Sequence, residues 1–301
     1  MEDEYDYDAM KEVGKVSYEA LQHARSVVKP GVKLLDAARV IEAFIMERGF
    51  GMAFPVNLSL NSQAAHYTPA IDDTAVFTDN DVVKVDLGAR KGAYLGDCAM
   101  TIDLTGGQAK LIEASEEALE EAISMVKAGR KVCEIGAAVE KVAGAKGFRP
   151  IRNLGGHGVS REDLHARIFI PNYDNGDETA LEEGEVIAIE PFMTDGEGRV
   201  KDGASLQIYQ KVGSPAARLA STRVIADFID AKYSTYPFAL RWLFRDIGGQ
   251  TEFTVLRAIA DLSAADALDR FPVLVERRGG MVAQAEKEMI VEKDGCSVIT
   301  A

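Results

Sequence analysis

Positive charge is the commodity this sequence is shortest of. Thirty-four Lys and Arg face 48 Asp and Glu, for a formal net charge of −14. A surface that acidic is repelled by phosphate backbones, so no nucleic-acid partner is expected. No apolar run reaches the roughly 18 residues of a membrane helix, and no secretory leader precedes the first helix. A membrane partner is therefore not expected either. Cysteine is scarce: Cys98, Cys133 and Cys296 are odd in number and show neither metal-type nor redox-type spacing. Reduced thiols in a cytoplasmic chain account for them. Only four histidines occur. What remains is 47% hydrophobic over 301 residues, enough for one large globular domain or two ordinary ones.

What the chain does have is acid in ordered places. Residues 80–103 read as two short strands around a turn near Lys91-Gly92, with Val83, Val85 and Leu87 alternating at the strand period of two. Folding about that turn puts Asp86 and Asp97 roughly opposite each other on one face. Two carboxylates so placed repel unless a cation lies between them.

The pattern then recurs. Residues 31–50 (GVKLLDAARVIEAFIMERGF) align with residues 129–148 (GRKVCEIGAAVEKVAGAKGF), each opening on Gly and closing on Gly-Phe. Helical apolar spacing with a terminal glycine predicts two matched helices. Asp36 meets Glu134, and Glu42 meets Glu140. DVVKVD, ending at Asp86, aligns with EVIAIE, ending at Glu190; DCAMTID from Asp97 aligns with EKEMIVE from Glu286. A two-fold arrangement brings all four acids to one centre. Four converging negative charges need about four positive ones. Two divalent cations supply them, and oxygen ligands with one or two imidazoles suit Mn, Fe, Co or Zn. Glu190 ends a strand that is apolar on both faces and hence buried.

Three of the histidines stand where such a centre can use them. His66 lies in AAHYTP, His157 between Gly156 and Gly158, and His165 eight residues later. Glycines flanking His157 let the backbone approach a ligand closely. His23, on the first helix, reads as structural. The two hairpins differ in one respect: Asp86 and Asp97 are 11 residues apart, Glu190 and Glu286 are 96 apart. The excess predicts a helix-rich insertion in the second hairpin, with helical stretches from Ala216 to Leu268. Tyr233, Tyr236, Phe238, Trp242 and Phe244 are expected to form its own core.

AAHYTP, VDLG…GD, GGHG…H, AIEPF and AQAE, in this order and spacing, resemble the type II methionine aminopeptidases, archaeal in style, of the pita-bread metallopeptidase family. The resemblance covers nearly the whole chain. It implies a mixed α/β (α+β) pita-bread fold with pseudo-two-fold halves and a curved antiparallel sheet. Residues 1–206 and 272–301 would form the catalytic domain and residues 207–271 the inserted helical subdomain. It also implies two divalent metal ions per chain, held by Asp86, Asp97, His157, Glu190 and Glu286. Asp97 and Glu286 match ligands that touch both ions, Asp86 the bidentate ligand of one, and His157 with Glu190 those of the other.

Glu190 further matches the family's proton shuttle, His66 the histidine near the substrate amine, and His165 the one that contacts the scissile carbonyl. Phe54 and Ile208 fall where the family lines its methionine pocket, and Phe271 where some members carry a lid tyrosine. The implied activity is removal of the initiator Met from chains with a small second residue, by a cytoplasmic monomer. The short acidic N-terminus leaves room for no more than a transient ribosome contact. One departure is Lys287 in place of the usual His, expected to alter packing and not metal binding. A proline-specific aminopeptidase or prolidase shares the fold and ligands, and a catalytically inactive pita-bread binding protein is the other alternative.

Overall fold

The structure, a computed structural model, describes residues 6–213 and 219–301. Most of the acidic N-terminal run (residues 1–5) and the start of the predicted helical stretch (residues 216–218) lie outside the described residues.

Two halves repeat one plan. The first comprises α1 (Tyr7–Val27), α2 (Leu34–Met46), β1 (Gly51–Leu60), β2 (Gln63–Ala65), β3 (Val82–Lys91), β4 (Tyr94–Leu95) and β5 (Cys98–Asp103). The second opens with α3 (Ala109–Met125), α4 (Val132–Lys146), β6 (Arg149–Pro150), β7 (Gly155–Ser160), β8 (Asp163–Pro171), β9 (Val186–Ile189) and β10 (Phe192–Thr194). A long excursion follows: β11 (Val200–Lys211), α5 (Ala220–Tyr233), β12 (Phe238–Ala239), α6 (Leu240–Asp246), α7 (Glu252–Ala264) and β13 (Leu268–Glu276). The chain closes with β14 (Val282–Gln284), β15 (Lys287–Val291) and β16 (Cys296–Val298). Every ladder between named strands is antiparallel.

The duplication is exact enough to see in single hydrogen bonds. Gly31 N–H donates to Phe77 O and Gly129 N–H to Leu181 O, both at 2.8 Å. Leu34 N–H meets Ala75 O at 3.0 Å, and Val132 N–H meets Thr179 O at 2.9 Å. Both repeat helices stop at a left-handed glycine, Gly49 (φ 82°) and Gly147 (φ 80°), where a Cβ would be strained. Apolar residues three and four apart turn α2 inward through Leu34, Ala37, Ala38, Ile41 and Ile45. In the second half, Val132, Ile135, Val139 and Ala143 do the same for α4. Each half thereby buries its own helix pair on its own strands.

The hairpin differs from its sequence-based reading in one detail. Pairing of Lys91 with Tyr94 and Arg90 with Leu95 centres the turn on Gly92-Ala93. Asp86 is therefore opposite Ala99, and the same register puts Asp97 opposite Gly88, one diagonal away but on the same face. In the second half Lys287 pairs with Ile189, so Glu190 and Glu286 come directly opposite each other as that register continues.

The excursion carries a hydrophobic cluster of its own, with Tyr233, Phe238, Trp242, Ile225, Ile259 and Leu262 buried and Phe244 against them. Tyr236 departs from the expectation. It belongs to the cluster of Phe54, Leu95 and Leu164, tying the excursion to the main body. Among the described residues, no helix is long and apolar enough to cross a membrane.

Candidate active site

One cavity, about 80 Å³, takes in most of the residues singled out by sequence: Phe54, His66, Asp86, Asp97, His157, His165, Glu190, Ile208, Phe271 and Glu286 all line it. Strands from both halves deliver them. Asp86 comes from β3, His157 from β7 and His165 from β8; Glu190 follows β9, and Asp97 and Glu286 immediately precede β5 and β15. The halves meet at an isolated bridge between Ala99 and Glu286. His23 is elsewhere, its ring stacked on Phe44 at 4.5 Å.

The acids form two neighbouring groups. Ligand atoms of Asp97, His157 and Glu286 lie within 4.8 Å of one another, with His157 Nε2 to Asp97 Oδ2 at 3.5 Å. Gln284 joins the other two: its Nε2 donates to Glu190 Oε2 at 3.1 Å and to Asp86 Oδ2 at 3.5 Å. Asp97 and Glu286 are 4% and 3% exposed; Asp86 and Glu190 are half-buried, their open surface facing the cavity.

Such crowding disfavours the charged forms. Burial, reinforced by Asp86 and the neighbouring glutamates, pushes Asp97 well above the ordinary carboxylate range. Burial and then Asp97 do the same to Glu286, burial and then Asp86 to Glu190. Burial raises Asp86 to about 7, opposed by the Gln284 hydrogen bond. One oxygen each of Asp86, Asp97 and Glu286 is buried without a hydrogen-bond partner among the described residues. Orphaned buried carboxylate oxygens cost several kcal/mol in general unless a cation meets them. This donor set, hard oxygens with one imidazole, fits divalent metal.

The histidines are prepared as neutral bases. Burial lowers His157 to about 3 and His66 to about 4. His157 Nδ1 lies 3.2 Å from Gly158 O. A carbonyl can only accept, so Nδ1 carries the proton and Nε2 turns its lone pair toward Asp97. By the same reasoning His66 Nδ1 donates to Pro272 O at 3.2 Å, freeing Nε2 as an acceptor. His165 stands exposed at the rim. The protein around its ring still lowers its pKa, and its ring is 4.6 Å from that of His157.

An apolar end adjoins the acids. Phe54 and Asn57 are three apart on β1 and would face opposite ways on a regular strand. Register irregularities between them bring both to the cavity. Ile208 on β11 pairs directly with Phe271 on β13. The Phe271 ring stands edge-on to His66 at 5.6 Å and stacked toward His165 at 6.4 Å. Lys287 turns the other way, its Nζ donating to Glu120 Oε1 on α3 at 2.7 Å.

Sequence reasoning passed over Gln284, Asn57 and Glu288. Gln284 sits in AQAE two residues before Glu286, a spacing that on a strand signals the same face. Asn57 is the ladder partner of Asp86, a pairing the sequence alone does not reveal. Glu288, 0% exposed, accepts the Asp97 backbone N–H at 2.9 Å; its buried carboxylate had been hidden in a strand of ordinary pattern.

Residues 8–226 match Metallopeptidase family M24. A methionine aminopeptidase of Pyrococcus horikoshii is 44% identical over 296 residues, 98% of this chain and 99% of the relative. Among solved structures, a thermophilic Arx1 superposes with a TM-score of 0.84 at 18% identity, covering 97% of this chain and 89% of that one. The methionine aminopeptidase of Thermotoga maritima does so with a TM-score of 0.70 at 23% identity, covering 97% and 95%. At those identities the structural likeness speaks for the fold alone, the pita-bread fold.

Proposed function

The chain belongs to Metallopeptidase family M24, and from that premise we propose that it is a hydrolase that removes the N-terminal methionine from peptides and nascent chains. Its relatives named for that activity match over essentially their whole length, and the family uses divalent metal. The observation that carries the reading is the convergence of four carboxylates and three histidines, from both halves, on one cavity with an apolar end.

We assign Asp86, Asp97, His157, Glu190 and Glu286 as the residues that would hold two divalent ions. Support comes from the unpartnered oxygens on Asp86, Asp97 and Glu286 and from the neutral Nε2 of His157. When bound, the ions supply the positive charge that offsets the carboxylates and the Lewis acidity that brings the pKa of water toward neutrality. Glu190 holds and moves a proton: it lines the cavity beside Asp86 and would take one from attacking water and return it to the leaving amine. His165, at the rim, donates toward the scissile carbonyl oxygen as negative charge develops there. His66 accepts an N–H from the substrate amine through its free Nε2. Phe54 and Ile208 shape the pocket for the methionine side chain, and Phe271 closes over it. Residues 207–271 are proposed as a helical subdomain with its own core, from Tyr233, Phe238 and Trp242.

The working form is proposed as a cytoplasmic monomer, in keeping with three free thiols. A transient ribosome contact would fit a substrate that is still being synthesised. The proline-specific and inactive alternatives are not favoured, since the relatives are methionine aminopeptidases by name and all five expected ligands are present.

The test is release of free methionine from Met-Ala-Ser by the purified chain, before and after removal of divalent ions, beside an Ala-Pro dipeptide. Metal-dependent release of methionine with no cleavage of Ala-Pro supports the reading. Cleavage of Ala-Pro alone would replace it with the proline-specific one, and no cleavage of either would favour a binding protein.

A further inference from the structure

Glu42 and Glu140 occupy matched positions in the two repeat helices, yet they end in different surroundings. Glu140 meets Arg152 at 2.5 Å on the surface. Glu42 is 1% exposed and pairs with Arg241, itself 4% exposed, on α6. Trp242 Nε1 donates to the second Glu42 oxygen at 3.0 Å. The excursion thus reaches α2 through a buried ion pair that the other half lacks.

Arg241 does not end at Glu42. Its Nη1 donates to Thr68 Oγ1 at 2.5 Å and to Pro69 O at 3.0 Å. Thr68 in turn donates to Val56 O at 2.7 Å. These two residues follow closely on His66, whose φ of +66° is left-handed. A non-glycine residue keeps that conformation only when its surroundings over-determine it. Before the Arg241 contacts, the loop is held by Pro272 O at His66 Nδ1 and by Leu58 N–H to Tyr67 O at 2.7 Å. The Tyr67 amide also donates to Ser59 Oγ at 3.3 Å and its hydroxyl to Asp73 Oδ2 at 2.6 Å, and the guanidinium adds the restraint that comes from α6. Its planar fork serves Glu42 through Nη2 and the loop through Nη1, which the point charge of a lysine cannot reproduce.

We propose that Arg241 is a positioning residue, tying α6 to the loop after His66 and so setting the angle at which the His66 imidazole meets the substrate amine. The proposal rests on the reading of His66 given above. It makes the excursion part of the catalytic apparatus and not only an addition beside it.

The experiment compares Arg241→Met, Arg241→Lys and Thr68→Val, each with His66 present and with His66→Ala, on Met-Ala-Ser. With His66 present, Arg241→Met is expected to lower kcat by about 10- to 100-fold, since a misplacement of about 1 Å can cost on the order of 10²-fold. KM should change by less than about twofold, and Arg241→Lys should recover only part of the loss. With His66→Ala, the further loss from Arg241→Met should fall below about twofold. Equal losses in both backgrounds would mean that Arg241 supports the fold at large and would overturn the proposal.

Removing one partner of a buried ion pair can prevent folding, so Thr68→Val provides the same test with the Glu42 pair intact. If His66→Ala alone leaves kcat and KM unchanged, the reading of His66 fails. The tether is then judged by hydrogen exchange at the Tyr67 amide. Faster exchange in Arg241→Met and Thr68→Val supports the tether, and unchanged exchange overturns it.

Discussion

The backbone N–H of Glu286 donates to the carbonyl of Ala99 at 3.0 Å, an isolated antiparallel bridge between the two halves. Ala99 is two residues beyond Asp97 and directly opposite Asp86. One bond therefore sets the spacing of three acids from two hairpins that are far apart in sequence. A second contact supports it, Thr101 Oγ1 donating to Gln284 O at 2.7 Å.

Removal of Glu286 or Asp97 should empty the proposed centre completely, because both lie in the buried Asp97–His157–Glu286 cluster and match family ligands shared by the two ions. Glu286→Ala and Asp97→Ala are expected to carry close to no tightly held divalent metal, as counted by elemental analysis of the purified chain. Two retained ions in either variant would contradict the assignment.

Glu190→Gln keeps size and an oxygen ligand while removing charge and basicity. Turnover of Met-Ala-Ser should fall by about 10² to 10⁴, the usual worth of a positioned base. Turnover close to wild type with full metal content would take Glu190 out of the proton path.

His165→Ala should separate catalysis from metal binding. Its kcat is expected to drop by about 10² or more, as for loss of an oxyanion donor, while both ions stay bound. Loss of the ions would make His165 a ligand instead.

The ion-free chain should lose stability as pH rises between about 6.5 and 8. Raised folded-state pKa values at Asp86 (about 7), Asp97, Glu190 and Glu286 mean that the native state holds protons the unfolded chain has released. That stabilisation is present in acid and disappears as pH climbs through those values. His66 and His157 act in the opposite sense; the proton release that supplies their contribution is about half done at the unfolded value of 6.5 and nearly complete about one pH unit above it, and these two are outnumbered by the four carboxylates. Melting temperature measured at pH 6.5 and 8 without metal should fall, and divalent ions should restore more of it at pH 8. An ion-free melting temperature that rises across this window would contradict the clustering.

Gly88→Ala should disturb the metal centre from outside it. The register places Gly88 opposite Asp97, and an added Cβ would fall inside contact distance of the Gly96 carbonyl oxygen, with Phe54 also close at 2.9 Å. Overpacking of this kind costs about 1–3 kcal/mol. Chemical denaturation should report that loss, and metal affinity should weaken with it. An unchanged midpoint would show that the hairpin gives way without strain.

By itself the sequence determined the duplication, because glycine stops, strand periodicity and the acids repeat within segments short enough to be compared directly. Gly31 with Gly129 and Gly49 with Gly147 are local requirements of backbone conformation, and local requirements are written locally. The acids of the candidate site were legible for the same reason: each sits at a fixed place in or directly beside a repeated strand. Tertiary structure decided what depends on register and on partners distant in the chain. A one-residue shift of the turn changed the register by two and moved Asp86 from Asp97 to Ala99, a change that preserves the face and so leaves the apolar pattern untouched. The roles of Asn57 and Gln284 come from ladders and contacts across the halves. Glu42 and Glu140 look equivalent in sequence, and only the fold of the excursion buries one against Arg241 and leaves the other in water. An ion pair joining residues 199 positions apart has no local signature, because the low-dielectric surroundings that strengthen its attraction and make each lone charge costly exist only once the chain is folded.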